Sequence, residues 1–594
     1  MANQNWLIRT KRGDFDELSG KFNIDPVVAR ILVNRDIKEE EFYSFLHPSL
    51  EDLHDPYLME DMNQAVRIIC HDIEEGHKIR IVSDYDVDGV MSNYVLYKGF
   101  QRIGATVDYR IPHRVKDGYG INEDIIMSAY EDGIHTIVTC DNGISANAAL
   151  AKAKELGITV VVTDHHDIPT MMDGENKRYI LPPADAILNP KKETCSYPFK
   201  DLCGAGVALK LIEALYIKRE IPHDEIFQFL EFVAMATICD VVSLVNENRI
   251  FVTFGLEQLN HTENKGLRAL IGANELSDIT IDAHHVGFRL GPCINASGRL
   301  ESAMEALDLL LEEDVSVAID KANRIYELNQ ERRQLTEEGT ERGMLLAQEL
   351  QNPKVYVIYI KDCHESLAGI IAGRLREVYN HPVFVLVDSD VPGILKGSGR
   401  SIEGYHMYEA LLQCRDLLLH FGGHEMAAGF SMNEIQLEAF RTRLNENCKL
   451  EEKAFWKTVR IDVPMPISYV REDLVEQIDN LAPFGKGNEK PLFAQKNLNV
   501  RSLRILGKEQ NVAKLVLEDS TGVAQEAVYF DAPELRDNLT RWFGQEEFDK
   551  LLHGWLNNVC LNVVYYPSVN EYNGTRTIQL LVKNYSMAAV REVL

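Results

Sequence analysis

The chain has 594 residues, 45% of them hydrophobic, with a formal net charge of −29; at about 150 residues per domain this is room for roughly four domains with cores of their own. No run of about 18 apolar residues occurs and charges are spread through the N-terminal segment, so a membrane span or a secretory leader is not expected and a cytoplasmic protein is. The ten cysteines include no Cys-x-x-Cys pair, which argues against a disulfide framework or a structural zinc site, and the acidic balance disfavours nucleic acid except where acids are locally missing.

Residues 1–60 read as a polar, helical N-terminal extension, in which Asp25-Pro26 opens a helix. From residue 61 to 250 the pattern is an α/β domain. The runs Lys78 to Ser83, Ile134 to Cys140, Ile158 to Thr163 and Ala184 to Leu188 predict strands, and the helical stretches between them end near Gly104, Gly133 and Gly157, where glycine takes a left-handed cap. Such alternation predicts a doubly wound parallel sheet.

Three of these strands run into acids. The first leads to Asp84-Tyr85-Asp86-Val87-Asp88-Gly89, the second to Asp141-Asn142-Gly143, and the third to Asp164-His165-His166-Asp167. Neighbouring parallel strands lie about 4.8 Å apart, so acids at their carboxyl ends converge. Crowded carboxylates must protonate or bind cations, and metal binding is the commoner solution when histidine joins them. Asp240, after the apolar helical segment Phe227 to Cys239, could complete the set. Each piece alone has a plain structural reading: a turn, a capped loop, a helix-end acid, or a calcium loop whose EF-hand glutamate is missing. Placement of three motifs at strand ends argues against coincidence.

Residues 251–350 read as a helical connector. Its stretch Glu313 to Leu350 predicts one long helix with Val315, Ile319, Ala322 and Tyr326 on one face, and Gly339 and Gly343 leave two shorter helices as the alternative. Residues 351–454 form a second, smaller α/β domain opening with the strand Val355 to Ile360. Here Gly397-Ser398-Gly399-Arg400 and Gly422-Gly423-His424 place glycine where a backbone must come close to something, beside side chains that bind anions such as phosphate, with plain turns as an equal alternative for each taken singly. Val391 to Ser401 carries Lys396 and Arg400 with no acid, and Val286 to Leu300 carries Arg289 and Arg299 with none. Residues 455–594 contain short β-rich runs, Val512 to Leu517 and Val559 to Tyr566, consistent with a small barrel. Six basic residues and one acid, Glu489, lie between Gly485 and Lys508, with Phe484 and Phe493 nearby as stacking platforms; for Phe493 a core position is an equal alternative.

Taken together, Asp86-x-Asp88, Asp141, Asp164-His165-His166 and Asp240 resemble the DHH phosphoesterase superfamily. Asn295-Ala296-Ser297-Gly298-Arg299, Gly397-Ser398-Gly399-Arg400-Ser401 and Gly422 to Gly429 are similar, in order, to motifs of its RecJ-like family of 5′-to-3′ exonucleases specific for single-stranded DNA. The resemblance implies a DHH domain over 61–250, a DHHA1 domain over 351–454 and an OB-fold, which Leu481 to Asn488 would open, over 455–594 with a C-terminal tail. It implies hydrolysis with two divalent cations, manganese first and magnesium as the alternative.

The catalytic set by resemblance is Asp86, Asp88, Asp141, His165, His166 and Asp240. Asp88, Asp141, His165 and Asp240 would hold one ion; Asp86, Asp141 and Asp240 would hold the other. Small-substrate members have a histidine where this chain has Val82; RecJ-like proteins share the loss of that histidine, and Asp84 would compensate. His166 would contact phosphate or support a neighbour. Arg114, Ser398 and Arg400 would hold a terminal 5′ phosphate, while Arg299 and His424, with Asn295 beside them, would meet phosphates at or near the scissile bond. A groove too narrow for a duplex would restrict the enzyme to single strands. The implied setting is DNA repair and recombination, with a single-strand-binding protein and a helicase as partners. Two other readings are a relative that cleaves oligoribonucleotides or cyclic dinucleotides, generally shorter and without the barrel, and a DNA-binding scaffold that has lost the metal ligands, which are all present here.

Overall fold

The computed structural model describes residues 4–114, 116–173, 176–572 and 574–588. Two compact units result: residues 50–456 form one, and the chain up to Ser49 forms the other together with everything from Lys457 on.

In the first unit the runs of β-branched residues make a five-stranded parallel sheet: β1 (Lys78–Ser83), β2 (Thr106–Arg110), β3 (Thr136–Cys140), β4 (Thr159–Thr163) and β5 (Ala186–Leu188). Their order is β2-β1-β3-β4-β5. Every residue of β3 is buried, as expected of a strand covered on both faces. The edge strand β2 was not legible as an apolar run, because its side chains alternate between exposed and half-buried. Winding reverses between β1 and β3, and in an open α/β sheet the crevice at such a switch point is where ligands bind.

Helices α1 (Val87–Arg102), α2 (Gly204–Lys218) and α3 (Leu230–Cys239) pack together over this sheet. Further on, α4 (Gly291–Leu300) is followed by α5 (Val315–Gln348), a single unbroken helix of 34 residues. The expected apolar face of α5 is corrected by its burial. Val315 and Ile319 are 58% and 47% exposed, whereas Ala318, Ala322, Ile325 and Leu328 are buried. Small alanines let the helix approach the domain closely, so the buried stripe lies beside the one that bulk hydrophobicity suggests. Gly339 and Gly343 do not break the helix, because they face α6 (Ala368–Tyr379): a Cβ at these positions would lie 2.5 Å from Ile371 Cδ1 and 2.8 Å from Leu375 Cδ1.

The second sheet of this unit has the order β9-β10-β8-β7-β6, formed by β6 (Tyr356–Tyr359), β7 (Val383–Asp388), β8 (Ile394–Arg400), β9 (Leu418–Gly423) and β10 (Ala427–Asn433). The glycines of both motifs lie in strands and not in turns, only His424 falling in a turn, and the close approach expected at them is found at Gly397 and Gly399. Gly397 and Gly399 lie on the buried face of β8, where a Cβ would run into the ring of Phe430 at the first and lie 2.8 Å from Phe384 Cε1 at the second. Strand alternation then sends Lys396, Ser398 and Arg400 to the opposite face.

In the other unit the N-terminal helices Phe15–Phe22 and Pro26–Asn34 form as expected, and Asp25 caps the second by accepting from the Val27 amide. The segment is not simply helical: strand Gln4–Ile8 pairs in parallel with Lys457–Ile461, a partner too far along the chain for local pattern to reveal. Strands Phe493–Leu506, Val512–Glu518, Ala524–Tyr529, Thr575–Met587 and Cys560–Tyr572 follow one another around a barrel, which closes where the last pairs with the first. Phe493 is fully buried in it, so it belongs to the core and not to a stacking surface. Phe484 is half-buried, with the Lys490 ammonium 5.9 Å from its ring centroid. Arg501 is ion-paired with Glu518, which lowers the net positive charge of the barrel stretch.

All ten cysteines are free. Among the described residues no helix is long and apolar enough to cross a membrane.

Candidate active site

The acids meet at the carboxyl ends of β1, β3 and β4. Directly after β1, the loop carrying Asp84 turns so sharply that a Cβ on Gly89 would strike the Asp84 carbonyl. Asp86 caps α1 by accepting from the Gly89 amide at 3.1 Å. Asp88, in the first turn of α1, is held from across the site. Its carboxylate accepts the amides of Gly204 at 2.6 Å and Ala205 at 2.7 Å, both at the start of α2, where free N–H groups and the helix dipole favour an anion. Gly204 is needed for that approach, because a Cβ there would lie 2.7 Å from Asp141 Cβ.

Asp141 follows β3 in the left-handed region, φ 58°, a conformation that aspartate tolerates better than most residues. His165 follows β4 and is buried. Its Nε2 lies 3.1 Å from Asp141 Oδ1, 3.5 Å from Asp88 Oδ2 and 3.6 Å from Asp240 Oδ2; Asp240 itself ends α3. Burial, with the charge of His166 next, depresses His165 to about 3, so its imidazole is neutral. One neutral ring nitrogen surrounded by three carboxylate oxygens can satisfy at most one of them by hydrogen bonding.

The carboxyls are perturbed in the same sense. Burial, reinforced by neighbouring acids, raises Asp84 and Asp141 well above the usual range, Asp88 to about 6 and Asp240 to about 8. Asp84 Oδ1 is buried without a hydrogen-bond partner among the described residues. Three overlapping sets of side chains here each offer ligand atoms within 4.8 Å of one another: Asp88, His165 and Asp240; Asp84, Asp86 and Asp141; and Asp141, His165 and His166. Unpaired buried oxygens, crowded carboxylates and one neutral imidazole fit divalent cations of the manganese or magnesium type.

The role of Asp164, and Tyr119 altogether, escaped the reading of the sequence. Asp164 is an organiser of the site: its Oδ1 accepts from the amides of His165 and His166 and from His166 Nδ1 at 2.8 Å, and its Oδ2 accepts from the Ile144 amide. Burial opposes its ionisation, but the His166 hydrogen bond and charge prevail and hold it at about 2. His166 is likewise opposed by burial and raised by Asp164 to about 9. Tyr119 donates to the Asp141 carbonyl at 3.1 Å, with its hydroxyl 3.4 Å from the His166 ring. A tyrosine in a loop carries no motif that would have marked it.

Beside the acids is a cluster of guanidiniums. Arg114 lies 4.3 Å from the Tyr85 ring centroid, and its charge acts on Asp84. Burial, then the charges of Arg114 and Arg332, lowers Arg299 to about 9, and burial followed by Arg114 and Arg376 lowers Arg400. Arg299 Nη1 donates to the Ser366 carbonyl at 2.7 Å. Arg114, Arg299 and Arg400 have no carboxylate in ion-pair reach among the described residues, unlike Lys396, which pairs with Glu365 at 2.8 Å. That pair corrects the expectation of a locally acid-free stretch, because the acid arrives from another segment.

Arg400 and Ser398 also adjoin the N-terminal turn of α6: a Cβ on Gly369 would lie 2.8 Å from Arg400 Nη2 and 3.5 Å from Ser398 Oγ. Arg114, Tyr85, Tyr119, Lys396, Ser398 and His420 line a cleft of about 600 Å³. His424 is exposed in the turn between β9 and β10, close enough to Asp167 to hold that carboxyl below its usual range after the larger effect of Lys191. Asn295 is half-buried in α4 and its buried Oδ1 has no partner among the described residues.

The family described as DHH family, N-terminal domain, matches residues 78–237, the DHHA1 domain matches 352–450 and the RecJ OB domain matches 461–584. The chain is 34% identical to the single-stranded-DNA-specific exonuclease RecJ of Bacillus subtilis, covering 99% of this chain and 71% of that protein. It is 29% identical to the Escherichia coli protein of the same name, covering 97% and 99%. The structure of RecJ with Mn2+ from Thermus thermophilus superposes with a TM-score of 0.80 at 26% identity, over 99% of this chain and 80% of that one; the Mg2+ complex gives 0.75 at 25%, over 99% and 79%. A parallel sheet ending in metal-type acids, a second α/β domain that carries Arg400 and a closed barrel thus coincide with these matches, and the chain belongs to the RecJ family of the DHH phosphoesterases.

Proposed function

We propose that the protein is a metal-dependent exonuclease that degrades single-stranded DNA from its 5′ end by hydrolysing phosphodiester bonds. The observation that carries this reading is the pairing of a carboxylate cluster with the half-buried guanidiniums of Arg114, Arg299 and Arg400, which have no carboxylate partner among the described residues. Asp88, Asp141, His165 and Asp240 would hold one divalent cation, and Asp86 and Asp141 a second, with Asp84 in place of the Asp240 that the resemblance implied, because Asp84, Asp86 and Asp141 offer ligand atoms within 4.8 Å of one another; manganese or magnesium would serve in each case. Bound there, such cations supply charge neutralisation of the phosphodiester and activation of water.

The chain's own residues perform the positioning. The Gly204 and Ala205 amides fix the Asp88 carboxylate, and Asp164 keeps His166 cationic and turned so that its far edge can meet a phosphate oxygen. Arg114, Ser398 and Arg400, with the first amides of α6, grip a terminal phosphate, for which a guanidinium fork is better shaped than an ammonium. Arg299 and His424 meet phosphates closer to the acids, and Asn295 lies alongside. A terminal-phosphate pocket next to the acids accounts for removal of nucleotides from the 5′ end. The basic residues between Gly485 and Lys508 on the barrel would bind single-stranded DNA in their own right. Family membership supports a cytoplasmic role in DNA repair and recombination, with a single-strand-binding protein and a helicase as partners.

End-labelled DNA and RNA, single and double stranded, incubated with manganese, magnesium or chelator test the reading. Single-stranded DNA is expected to be shortened from its 5′ end only with metal, and Arg400→Ala is expected to lose at least tenfold more activity on 5′-phosphorylated than on 5′-hydroxyl ends. Cleavage in chelator, or an equal loss on both ends, would overturn it.

A further inference from the structure

At the opposite edge of the catalytic sheet is a second group of metal-type side chains that the nuclease reading does not use. His77 immediately precedes β1 and His135 immediately precedes β3, so parallel pairing brings them together at the amino ends of adjacent strands. Their rings stack with centroids 3.8 Å apart. Both Nδ1 atoms converge on one oxygen: Asp72 Oδ1 lies 3.0 Å from His77 Nδ1 and 3.1 Å from His135 Nδ1. Asp72 comes from the last turn of helix Met62–Glu75, where Gly76 takes the left-handed cap and the His77 amide closes the turn on the Asp72 carbonyl at 2.8 Å.

Hydrogen bonding can account for Asp72 Oδ1, whose two lone pairs can accept from both imidazoles, but not for the other carboxylate oxygen. Asp72 is 1% exposed, and its Oδ2 is buried without a hydrogen-bond partner among the described residues. A buried carboxylate with one bare oxygen is costly. The negative end of the helix dipole adds to the pull on a cation. The three ligand atoms, one from each residue, lie within 4.8 Å of one another. The His71 ring stands edge-on to His77 at 6.0 Å and is the nearest further imidazole, while His135 Nδ1 has one other polar neighbour, Thr136 Oγ1 at 3.3 Å.

We infer that Asp72, His77 and His135 form a second metal site, separate from the nuclease centre and suited to a borderline ion of the zinc class. Two imidazoles and one carboxylate favour zinc, cobalt or nickel over manganese and magnesium, the reverse of the preference of the carboxylate-rich cluster. A bound ion would clamp the end of helix Met62–Glu75 across the amino ends of β1 and β3. Its role is structural, and the inference stands whether or not the chain cleaves DNA.

The test uses the full-length chain with its nuclease cluster disabled by Asp141→Ala and His165→Ala, stripped of metal and kept in excess magnesium. Zinc alone is then added, and bound zinc and the thermal midpoint are measured. This parent is expected to bind one zinc per chain and to unfold at a higher temperature with it. His77→Gln and His135→Gln, made separately in that background at partly exposed positions, are expected to weaken zinc binding at least tenfold and to abolish the thermal shift, with unchanged circular dichroism. Cobalt serves as a spectroscopic check, its absorption disappearing in the same variants. Failure of the parent to bind zinc, or zinc binding and a thermal shift equal in parent and variants, would overturn the site.

Discussion

Gly204 holds Asp88 through its backbone: the glycine N–H donates to Asp88 Oδ2 over 2.6 Å, and the Asp141 Cβ fills the space where a side chain at 204 would begin. Gly204→Ala forces α2 away from both acids, with an overpacking cost of about 1–3 kcal/mol. The manganese concentration for half-maximal activity is expected to rise at least tenfold and the thermal midpoint to fall by several degrees. An unchanged metal requirement in nuclease assays would show that α2 does not support the cluster.

Proton release should accompany metal binding. In the metal-free chain Asp88 titrates near 6 and Asp240 near 8, raised by burial and then by neighbouring acids. A raised carboxyl holds its proton in the folded state at a pH where the unfolded chain has lost it, so these groups stabilise less as pH rises from about 4 to 8. The chelated protein is therefore expected to unfold at a lower temperature at pH 8 than at pH 6, a difference that manganese removes. Because ligands must be deprotonated, manganese affinity is expected to rise at least tenfold between pH 6 and pH 8. Calorimetric titration in buffers of different ionisation enthalpy measures both affinity and protons; a pH-independent affinity would contradict the shifts.

Asp164→Asn probes the other charge pair. Asp164 is held at about 2, below its unfolded value of about 3.9, so its contribution is present above that value and is lost as pH falls toward 2. His166 is raised to about 9 from an unfolded value of about 6.5, so its contribution is complete below the latter and lost as pH rises through the former. The stability difference between the parent and Asp164→Asn, both metal-free, is expected to be widest between about pH 4 and 6.5 and to shrink by pH 9. Denaturant melts across that range give the curve, and a flat difference would dissociate the two residues.

Two glycines in helices should behave oppositely. A Cβ on Gly298 would lie 2.7 Å from the Tyr85 carbonyl oxygen, which is backbone of the loop between Asp84 and Asp86, so that relief of the clash would displace both acids. Gly298→Ala is expected to reduce kcat at saturating metal at least tenfold. At Gly339 the obstacle is only Ile371 Cδ1 at 2.5 Å, the tip of a side chain that can rotate, while alanine gains up to about 1 kcal/mol of helix propensity. Gly339→Ala is expected to leave activity intact and stability within about 1 kcal/mol of the parent. A large stability loss there would mean that α6 cannot adjust.

By itself, the sequence determined the parallel sheet, because runs of β-branched residues and glycine stops are short-range patterns, and with the sheet it determined that Asp84 to Asp88, Asp141 and Asp164 to His166 would stand at strand ends. It also carried the barrel and the long helix, although Val315 and Ile319 pointed to a face that packing left exposed. Tertiary structure alone decided the rest: that Gly204 braces Asp88, that Asp164 governs His166, that Glu365 neutralises Lys396 while Arg400 meets no acid among the described residues, and that the Gly397 strand makes way for Phe430. Periodicity is written by residues a few positions apart. These contacts join segments distant in the chain, and only close packing of whole elements sets which of them meet.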